Sequence, residues 1–441
     1  MSVQNCAIVI LGASGDLTRR KLVPVLYALY VQGKIDDSNV IIGSGRSSYT
    51  DEQFRKRFDV SGRFAAHLFY RRYTAGLREY IRSKGNFEKV IFFLSLPPST
   101  YAHTVKELAA EGFCGEISLI IEKPFGYDYN SARELNRKLT ACFKESQIFR
   151  IDHYLAKEAV QNILVFRFAN SIFYPVWNSR YVESIQINAL ESTGITERGA
   201  YFDKAGIIRD MVQNHLLQLL CLLTMEAPVS LDPEDIRRQK TNVLRSITID
   251  EIRRFQYEGY QEEKGVAENS TTETYAELKL TIDNYRWYRT PVYIRTGKAV
   301  HRHGTEIGIR FKPLPRLLFN ETGAIPPNHI IFKIQPAEGI IFDVSSKVPG
   351  TDDEIAGTHM NFCYRDSFAG ESPEAYQRLL YDALRGDHTL FVSAEETETS
   401  WKLFEGLLDK GDLKYYKPGT LPGSDFPVDW IDFDKYAPLC L

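Results

Sequence analysis

With 441 residues, the chain is too long for one ordinary core and fits two domains. Hydrophobic residues make up 44% and charged residues 25%, the proportions of a globular protein. Lys plus Arg is 54 against 57 for Asp plus Glu, a formal charge of −3, which argues against a general nucleic-acid binder while leaving room for a local basic pocket.

The opening "MSVQNCAIVILGASGD" runs straight into a buried strand, Cys6–Leu11, and nothing in it reads as a signal or transit peptide. "LTRRKLVPVLYALYVQG" predicts an amphipathic helix stopped at Gly33. "NVIIGSG" is a second strand and "KVIFFLSLP" (89–97) a third. "YAHTVKELAAEG" is a helix closed at Gly112, "ISLIIEKPFG" a fourth strand and "NSARELNRKLTACF" a helix. This alternation predicts a parallel sheet covered on both faces, a Rossmann-type nucleotide-binding domain over residues 1–150.

Beyond Asp152 the texture changes. "GIIRDMVQNHLLQLLCLL" and "PEDIRRQKTNVLRSI" read as helices. "YVESIQINALES", "STTETYAELKLTID", "TPVYIRTG", "TEIGIRF", "NHIIFKIQP" and "GIIFDVSS" have strand character and few helices between them. They predict one large, mainly antiparallel sheet, so the fold class is α/β plus α+β, with residues 151–441 as a substrate-binding and oligomerisation domain. "SPEAYQRLLYDALRGD" and "EETETSWKLFEGLLDKG" close the chain as helices, "YEGYQEEKGVAENST" is a surface loop, and the last twenty or so residues are expected to be loosely structured. The longest apolar run, "LLQLLCLLTM", is too short to span a bilayer and carries Gln218. Cys6, Cys114, Cys142, Cys221, Cys363 and Cys440 form no CxxC pair, and are expected to be reduced and buried in a cytoplasmic protein.

"GASGDL" follows the first strand and opens the first helix. Gly12 can take the tight turn, and Gly15 lets the backbone approach a pyrophosphate that the helix N-terminus favours. This is GxxG rather than GxGxxG, and a strand–helix turn can hold two glycines with no ligand. The second strand ends "GSGRSS", with Arg46 where an NAD-specific fold usually carries an acid. A guanidinium there suits the 2′-phosphate of NADP; a solvated surface Arg is the other reading.

"FRIDHYLAKEAV" (149–160) crowds Asp152, His153, Tyr154 and Lys157 together. With a helix starting near Tyr154, His153 stands at its N-terminus and Lys157 one turn along on the same side, a compact phosphate site. A buried strand end with a surface Lys is the alternative. In "GIIRDMVQNHLLQ", His215 lies beside an apolar stripe of Val212, Leu216, Leu219, Leu220 and Leu223, where a lone His is commonly a core residue. Asp152 has the wrong charge for a phosphate site. If it accepts a hydrogen bond from one nitrogen of His215, the other nitrogen becomes a base near neutral pH, as alcohol oxidation beside a nicotinamide requires. Lys123 ends the fourth strand at the ligand crevice of an open sheet, before Pro124, a candidate cis residue. Lys298 ends a strand of the second domain; Glu191 and Asp210 are acids in apolar surroundings, suited to sugar hydroxyls.

In this order "GASGDLTRRKL", "GRS", "LPPSTY", "EKPFG", "RIDHYLAKE", "RGAYFDKAGIIRDMVQNHLLQ" and "RTGKA" resemble the glucose-6-phosphate dehydrogenases, from about Ala7 to about Gln335. The resemblance implies oxidation of glucose 6-phosphate at C1 to 6-phosphogluconolactone with NADP⁺, the entry to the oxidative pentose phosphate pathway. It implies His215 as general base and Asp152 as its partner, with the phosphate on His153, Tyr154 and Lys157. It places Lys123, Glu191, Asp210 and Lys298 on the sugar, and Gly12, Ala13, Ser14, Gly15, Asp16, Thr18, Lys21, Arg46, Tyr101 and Lys123 along the coenzyme. By analogy with the family a homodimer or homotetramer is expected; charge and hydropathy argue against nucleic-acid and membrane partners, and no metal is expected. The chain departs from the pattern at Ala156, usually Gly, and at His303, usually Lys or Arg, with Arg302 adjacent. It also ends early, so a second, structural NADP site is not expected. A different sugar or sugar phosphate is the alternative substrate, and a non-catalytic NADP-binding regulator the alternative role.

Overall fold

The structure is a computed structural model that describes residues 2–314, 325–368, 373–408, 411–424 and 426–440. Ser372, residues 409–410, Asp425 and Leu441, which fall in segments read above, lie outside the described residues. The described chain forms two compact units: residues 1–156, 228–238 and 373–402, and residues 157–227, 239–372 and 403–441.

The first unit is built on β1 (Cys6–Leu11), β2 (Val40–Gly45), β3 (Leu68–Arg72), β4 (Lys89–Leu94), β5 (Ser118–Ile121) and β6 (Ile148–Ile151). They run parallel in the order β6-β5-β4-β1-β2-β3, and the two-residue strand Phe391–Val392 adds antiparallel to β6. Every residue of β1 is buried, which is why "CAIVIL" shows no polar alternation: helices cover both faces. Strand order reverses between β1 and β4, the topology that opens a ligand crevice at the strand C-termini. β3 is absent from the expected set; its outer end, Arg71 and Arg72, is exposed and breaks the apolar pattern. The first helix begins as a wide π turn, Thr18–Leu22, before Val23–Val31. Pro24 explains it, because its ring clashes with the carbonyl four residues back. The returning helix Ala375–Arg385 is tied down by Gln377 Nε2 to Gln32 Oε1 at 2.7 Å, and Trp401 Nε1 donates to the Phe125 carbonyl at 2.9 Å.

In the second unit, β7 (Val182–Leu190), β8 (Ile247–Tyr257), β9 (Tyr275–Ile282), β10 (Val292–Gly297), β11 (Gly304–Phe311), β12 (His329–Gln335), β13 (Gly339–Lys347), β14 (Ile355–Cys363) and β16 (Leu413–Tyr416) make one sheet, β15 being the Phe391–Val392 strand of the first. Its order is β14-β13-β12-β11-β7-β10-β9-β8-β16, antiparallel except for the β7–β10 and β8–β16 pairs. β8, β14 and β16 lie outside the expected strands. The helix Leu217–Thr224 is buried along its whole length. Its terminal carbonyls are met by side chains: Arg167 donates to Leu222 O and Met225 O at 2.6 Å each, Trp177 to Leu223 O at 2.8 Å and Trp287 to Thr224 O at 2.7 Å.

Two expectations are corrected. Four of the six cysteines are paired, Cys114 with Cys142 and Cys363 with Cys440, at Cα separations of 4.7 and 5.0 Å. Sequence spacing hides this, because folding brings together a turn after one helix and the end of the next, and the last residues against the end of β14. Cys6 and Cys221 stay buried thiols. The C-terminal tail is not loose: Ile431, Phe433 and Tyr436 pack on Ile331 and Ile341, and Lys333 Nζ donates to the carbonyls of Tyr436 and Ala437 at 3.0 Å each. Its backbone is irregular, but its apolar side chains are spaced to cover the sheet. Among the described residues no helix is long and apolar enough to cross a membrane.

Candidate active site

The turn after β1 carries the expected nucleotide residues. Gly12 has φ +85°, and a Cβ there would fall 2.0 Å from the Ser95 carbonyl oxygen, so only glycine lets the end of β1 lie against the end of β4. The N–H groups of Gly12 and Ala13 donate to Ser44 O at 2.8 and 2.9 Å, and Gly15 N–H closes the turn on Gly12 O at 2.9 Å. Arg57, missed in the sequence, donates to the Ser14 carbonyl at 2.9 Å and covers the Tyr49 ring. Asp16 receives Arg20 at 2.8 Å on the surface, and Lys21 pairs with Glu374 of the returning segment. Thr18 is fully buried, yet its Oγ1 has no protein partner. An enclosed hydroxyl without a partner beside a glycine turn and a helix start fits a phosphate-bearing dinucleotide.

Arg46 stands exposed just past β2. β3 brings Arg71 and Arg72 alongside: Gly45 pairs with Arg72, Arg72 Nε donates to the Arg46 carbonyl at 3.2 Å, and Tyr73 follows with φ +63°. Three guanidinium groups thus crowd the ends of two neighbouring strands. The clue was Arg-Arg at the end of an unrecognised strand.

Past β5, Lys123 precedes a cis bond to Pro124, as expected. Its neighbour Glu122, not singled out before, has Oε1 enclosed and without a partner. Burial pushes its carboxyl up to about 7, against the Tyr376 hydroxyl bond and the Lys123 charge. Tyr101 is fully buried, and its hydroxyl donates to the Glu122 carbonyl at 3.0 Å.

The 149–160 segment differs from expectation. Asp152 Oδ1 accepts the N–H of Tyr154 at 3.0 Å, and Leu155 N–H closes on Asp152 O at 3.1 Å. The chain therefore turns after β6, and the helix starts at Glu158 with Lys157 as its N-cap, four residues later than the reading from Tyr154. His153 is not at a helix N-terminus. Its ring centroid lies 5.1 Å from that of Tyr154, edge to face. Asp152 and Tyr154 are buried, whereas His153 and Lys157 keep partial exposure. Burial lowers the Lys157 ammonium pKa, and Glu338 opposes the shift.

In the second unit, β7 and β10 run parallel in register, Gly297 beside Leu190, so the next residues emerge side by side. Glu191 N–H donates to Gly297 O at 2.8 Å, and Lys298 N–H to Thr274 O at 3.0 Å. Lys298 Nζ donates to Glu191 Oε2 at 2.9 Å and lies 4.0 Å from Asp210 Oδ2, and Arg198 reaches Asp210 Oδ1 at 3.7 Å. Phe202 stands under the ammonium at 5.4 Å. Three of the expected sugar residues are thus brought together, all but Glu191 nearly closed to solvent. His303 is exposed, and neighbouring Arg302 is engaged by Glu306 and by Asp434 at 3.2 Å, so it is no substitute for the missing cation.

His215 is fully buried on the π-helical segment Ile208–Leu216, which continues into Leu217–Thr224. The expected stripe of Val212, Leu216, Leu219, Leu220 and Leu223 is buried too. The widened turns set Asp210, Gln213 and His215 in one stretch of buried polar side chains, an arrangement π segments often serve at functional sites.

Comparison with known proteins shows the family to which the chain is related. Residues 9–162 match the family model for the glucose-6-phosphate dehydrogenase NAD binding domain, and residues 164–426 the model for its C-terminal domain. The glucose-6-phosphate 1-dehydrogenase of Aggregatibacter actinomycetemcomitans is 38% identical, the alignment covering 95% of this chain and 94% of that protein. Glucose-6-phosphate 1-dehydrogenase 6, cytoplasmic, of Arabidopsis thaliana is 39% identical, covering 94% and 88%. A solved glucose-6-phosphate dehydrogenase in complex with its substrate glucose-6-phosphate superposes with a TM-score of 0.89 at 35% identity over 96% of each chain.

Proposed function

The chain belongs to the glucose-6-phosphate dehydrogenase family, and from that premise we propose that it oxidises glucose 6-phosphate at C1 to 6-phosphogluconolactone. The observation that carries this reading is the cluster of Lys298 and Glu191, at the ends of two parallel strands, with Asp210 from the helix Ile208–Leu216, a cation and two acids matched to sugar hydroxyls. A nicotinamide coenzyme held along the Gly12–Gly15 turn would supply the acceptor for the hydride leaving C1. His215 takes the hydroxyl proton as the C1 carbonyl forms, and the family resemblance assigns Asp152 as its partner. His153, Tyr154 and Lys157 hold the phosphate, and Lys123 serves both sugar and coenzyme.

The coenzyme is NADP⁺: Arg46 supplies the charge for the 2′-phosphate, and Arg72 beside it adds a second guanidinium. Gly12, Ala13, Ser14, Gly15, Asp16, Thr18, Lys21 and Tyr101 line its path. Residues 1–150 handle the coenzyme, and residues 151–441 the substrate and assembly into a homodimer or homotetramer, which sedimentation measures directly. A cytoplasmic location has the support of the Arabidopsis relative described as cytoplasmic; the chloroplastic relatives and the two disulfides weigh against it.

The test is steady-state reduction of NADP⁺ and NAD⁺ by glucose 6-phosphate and by free glucose. Preference for the phosphorylated sugar is expected, and equal rates on glucose would overturn the assignment. His215→Asn should cut kcat by about 10²–10⁴-fold with little change in substrate binding. Asp152→Asn should add little to it, because the two act as one unit.

A further inference from the structure

The helix that carries His215 begins at a break. Gly206 has φ +71° and ψ 168° between two helical stretches, and residues Ile208–Leu216 wind on from there. A Cβ at residue 206 would stand 2.3 Å from Glu273 Oε1, so the glycine vacates space that a carboxylate fills. Glu273 comes from the chain just before β9 and is 2% exposed. Its Oε1 accepts the Ile208 N–H at 3.2 Å, and its main-chain carbonyl accepts the Ile207 N–H at 3.0 Å. Two N–H groups that have no acceptor inside the helix they start therefore end on one residue.

Arg254 of β8 holds the carboxylate from behind. Its Nη2 lies 3.6 Å from Glu273 Oε2 and donates to the Thr271 carbonyl at 2.9 Å. Burial raises the Glu273 carboxyl pKa, and the Arg254 and Arg209 charges with the Ile208 N–H pull it back. Taking a carboxyl out of water to cap a helix is costly when a Ser or Asn at the break could do it, so a local fold role alone is a weak account.

We infer that Glu273 is a positioning residue for the oxidation, bracing the Gly206 break so that Asp210 and His215 keep their places on the helix. Asp210 lies two residues beyond the braced N–H, and His215 seven. The far end of the same helix is pinned by Arg167, Trp177 and Trp287, so Glu273 is the restraint at the near end. A group that holds a base acts on kcat through alignment, where a displacement of about 1 Å can cost about 100-fold.

The inference rests on the reading of His215 as the base, and the experiment separates the two. Glu273→Ala, Glu273→Asp and Glu273→Gln are compared with His215→Asn, each with kcat, both KM values and the pH profile of kcat/KM. Glu273→Ala should lower kcat by about 10-fold or more, leave the dinucleotide KM unchanged and move the acid limb of the profile. Glu273→Gln, which keeps an acceptor of the same reach, should restore most of kcat. Glu273→Asp withdraws the carboxyl by one methylene, should behave like the alanine variant, and serves if that variant does not fold. A folded alanine or aspartate variant with wild-type kcat and an unmoved acid limb overturns the inference, whatever its melting temperature. If His215→Asn itself turns over at the wild-type rate, the base assignment falls instead.

Discussion

Lys298 donates to Glu191 across 2.9 Å, although the two residues are 107 positions apart in the chain. Each stands one residue past a strand, and the parallel register of β7 and β10 sets them together before any ligand arrives. The position of the ammonium is therefore set by the strand register itself. Lys298→Met should lower kcat/KM for the sugar phosphate by about 10- to 100-fold, the worth of a charge-assisted bond, with coenzyme binding unchanged. Asp210 keeps Arg198 at 3.7 Å, so the variant should stay folded. Steady-state kinetics with a melting curve checks both halves; unchanged kcat/KM would remove Lys298 from the site.

The arginines at the ends of β2 and β3 make a coenzyme prediction. Arg46 and Arg72 are exposed and joined by a side-chain-to-carbonyl bond. If both face the 2′-phosphate, Arg46→Ala and Arg72→Ala should each lower kcat/KM for NADP⁺ by about 10-fold while sparing NAD⁺. Because the groups are solvated, added salt should shrink the wild-type preference. Equal losses with both coenzymes would remove the 2′-phosphate role.

Glu122 gives a pH signature. Its carboxyl is raised from 4.5 to about 7, chiefly by burial. Below pH 4.5 the folded and unfolded chains both hold the proton. Between 4.5 and about 7 the folded chain keeps it while the unfolded chain loses it, so stability falls as pH rises through that window. The loss is on the order of 3 kcal/mol when complete. Glu122→Gln has no proton to lose, so its denaturant midpoint should match wild type near pH 4.5 and exceed it at pH 8. Parallel curves for the two proteins would show that Glu122 titrates normally.

These residues differ in how far the sequence exposes them. The first sheet is legible because β1, β4 and β5 are short apolar runs closed by glycine or proline, a pattern that only double-sided burial explains. β8 is not, because buried Arg254 and Gln256 replace the apolar half of its alternation: Gln256 donates to the Ser270 and Thr272 carbonyls, and Arg254 meets Glu273. The helix start at residue 158 is hidden because the Asp152 carboxylate captures the Tyr154 N–H, a side-chain turn that propensity does not reveal. His215, Asp210 and Lys298 are legible through family motifs. Glu273 is not, because its importance lies in a contact with a glycine 67 residues earlier that only the fold creates.

The tail supplies the last prediction. The Cys363–Cys440 bond closes a span of 77 residues and fixes a segment whose aromatic side chains cover β12 and β13. In the chain-entropy account such a loop is worth about 4 kcal/mol, and Cys114–Cys142, spanning 28 residues, slightly less. Reduction should not free the tail outright, because Lys333 still holds the Tyr436 and Ala437 carbonyls and Ile431, Phe433 and Tyr436 remain buried. Cys440→Ser should therefore cost about 2–4 kcal/mol in global stability while leaving kcat intact. The redox state itself is open to counting. Native protein should show no fast-reacting thiol from Cys6 or Cys221, both buried, the first with its pKa pushed up to about 12. Unfolded without reductant, the chain should release two thiols of its six cysteines; release of all six would mean that the pairs are open in the protein as isolated.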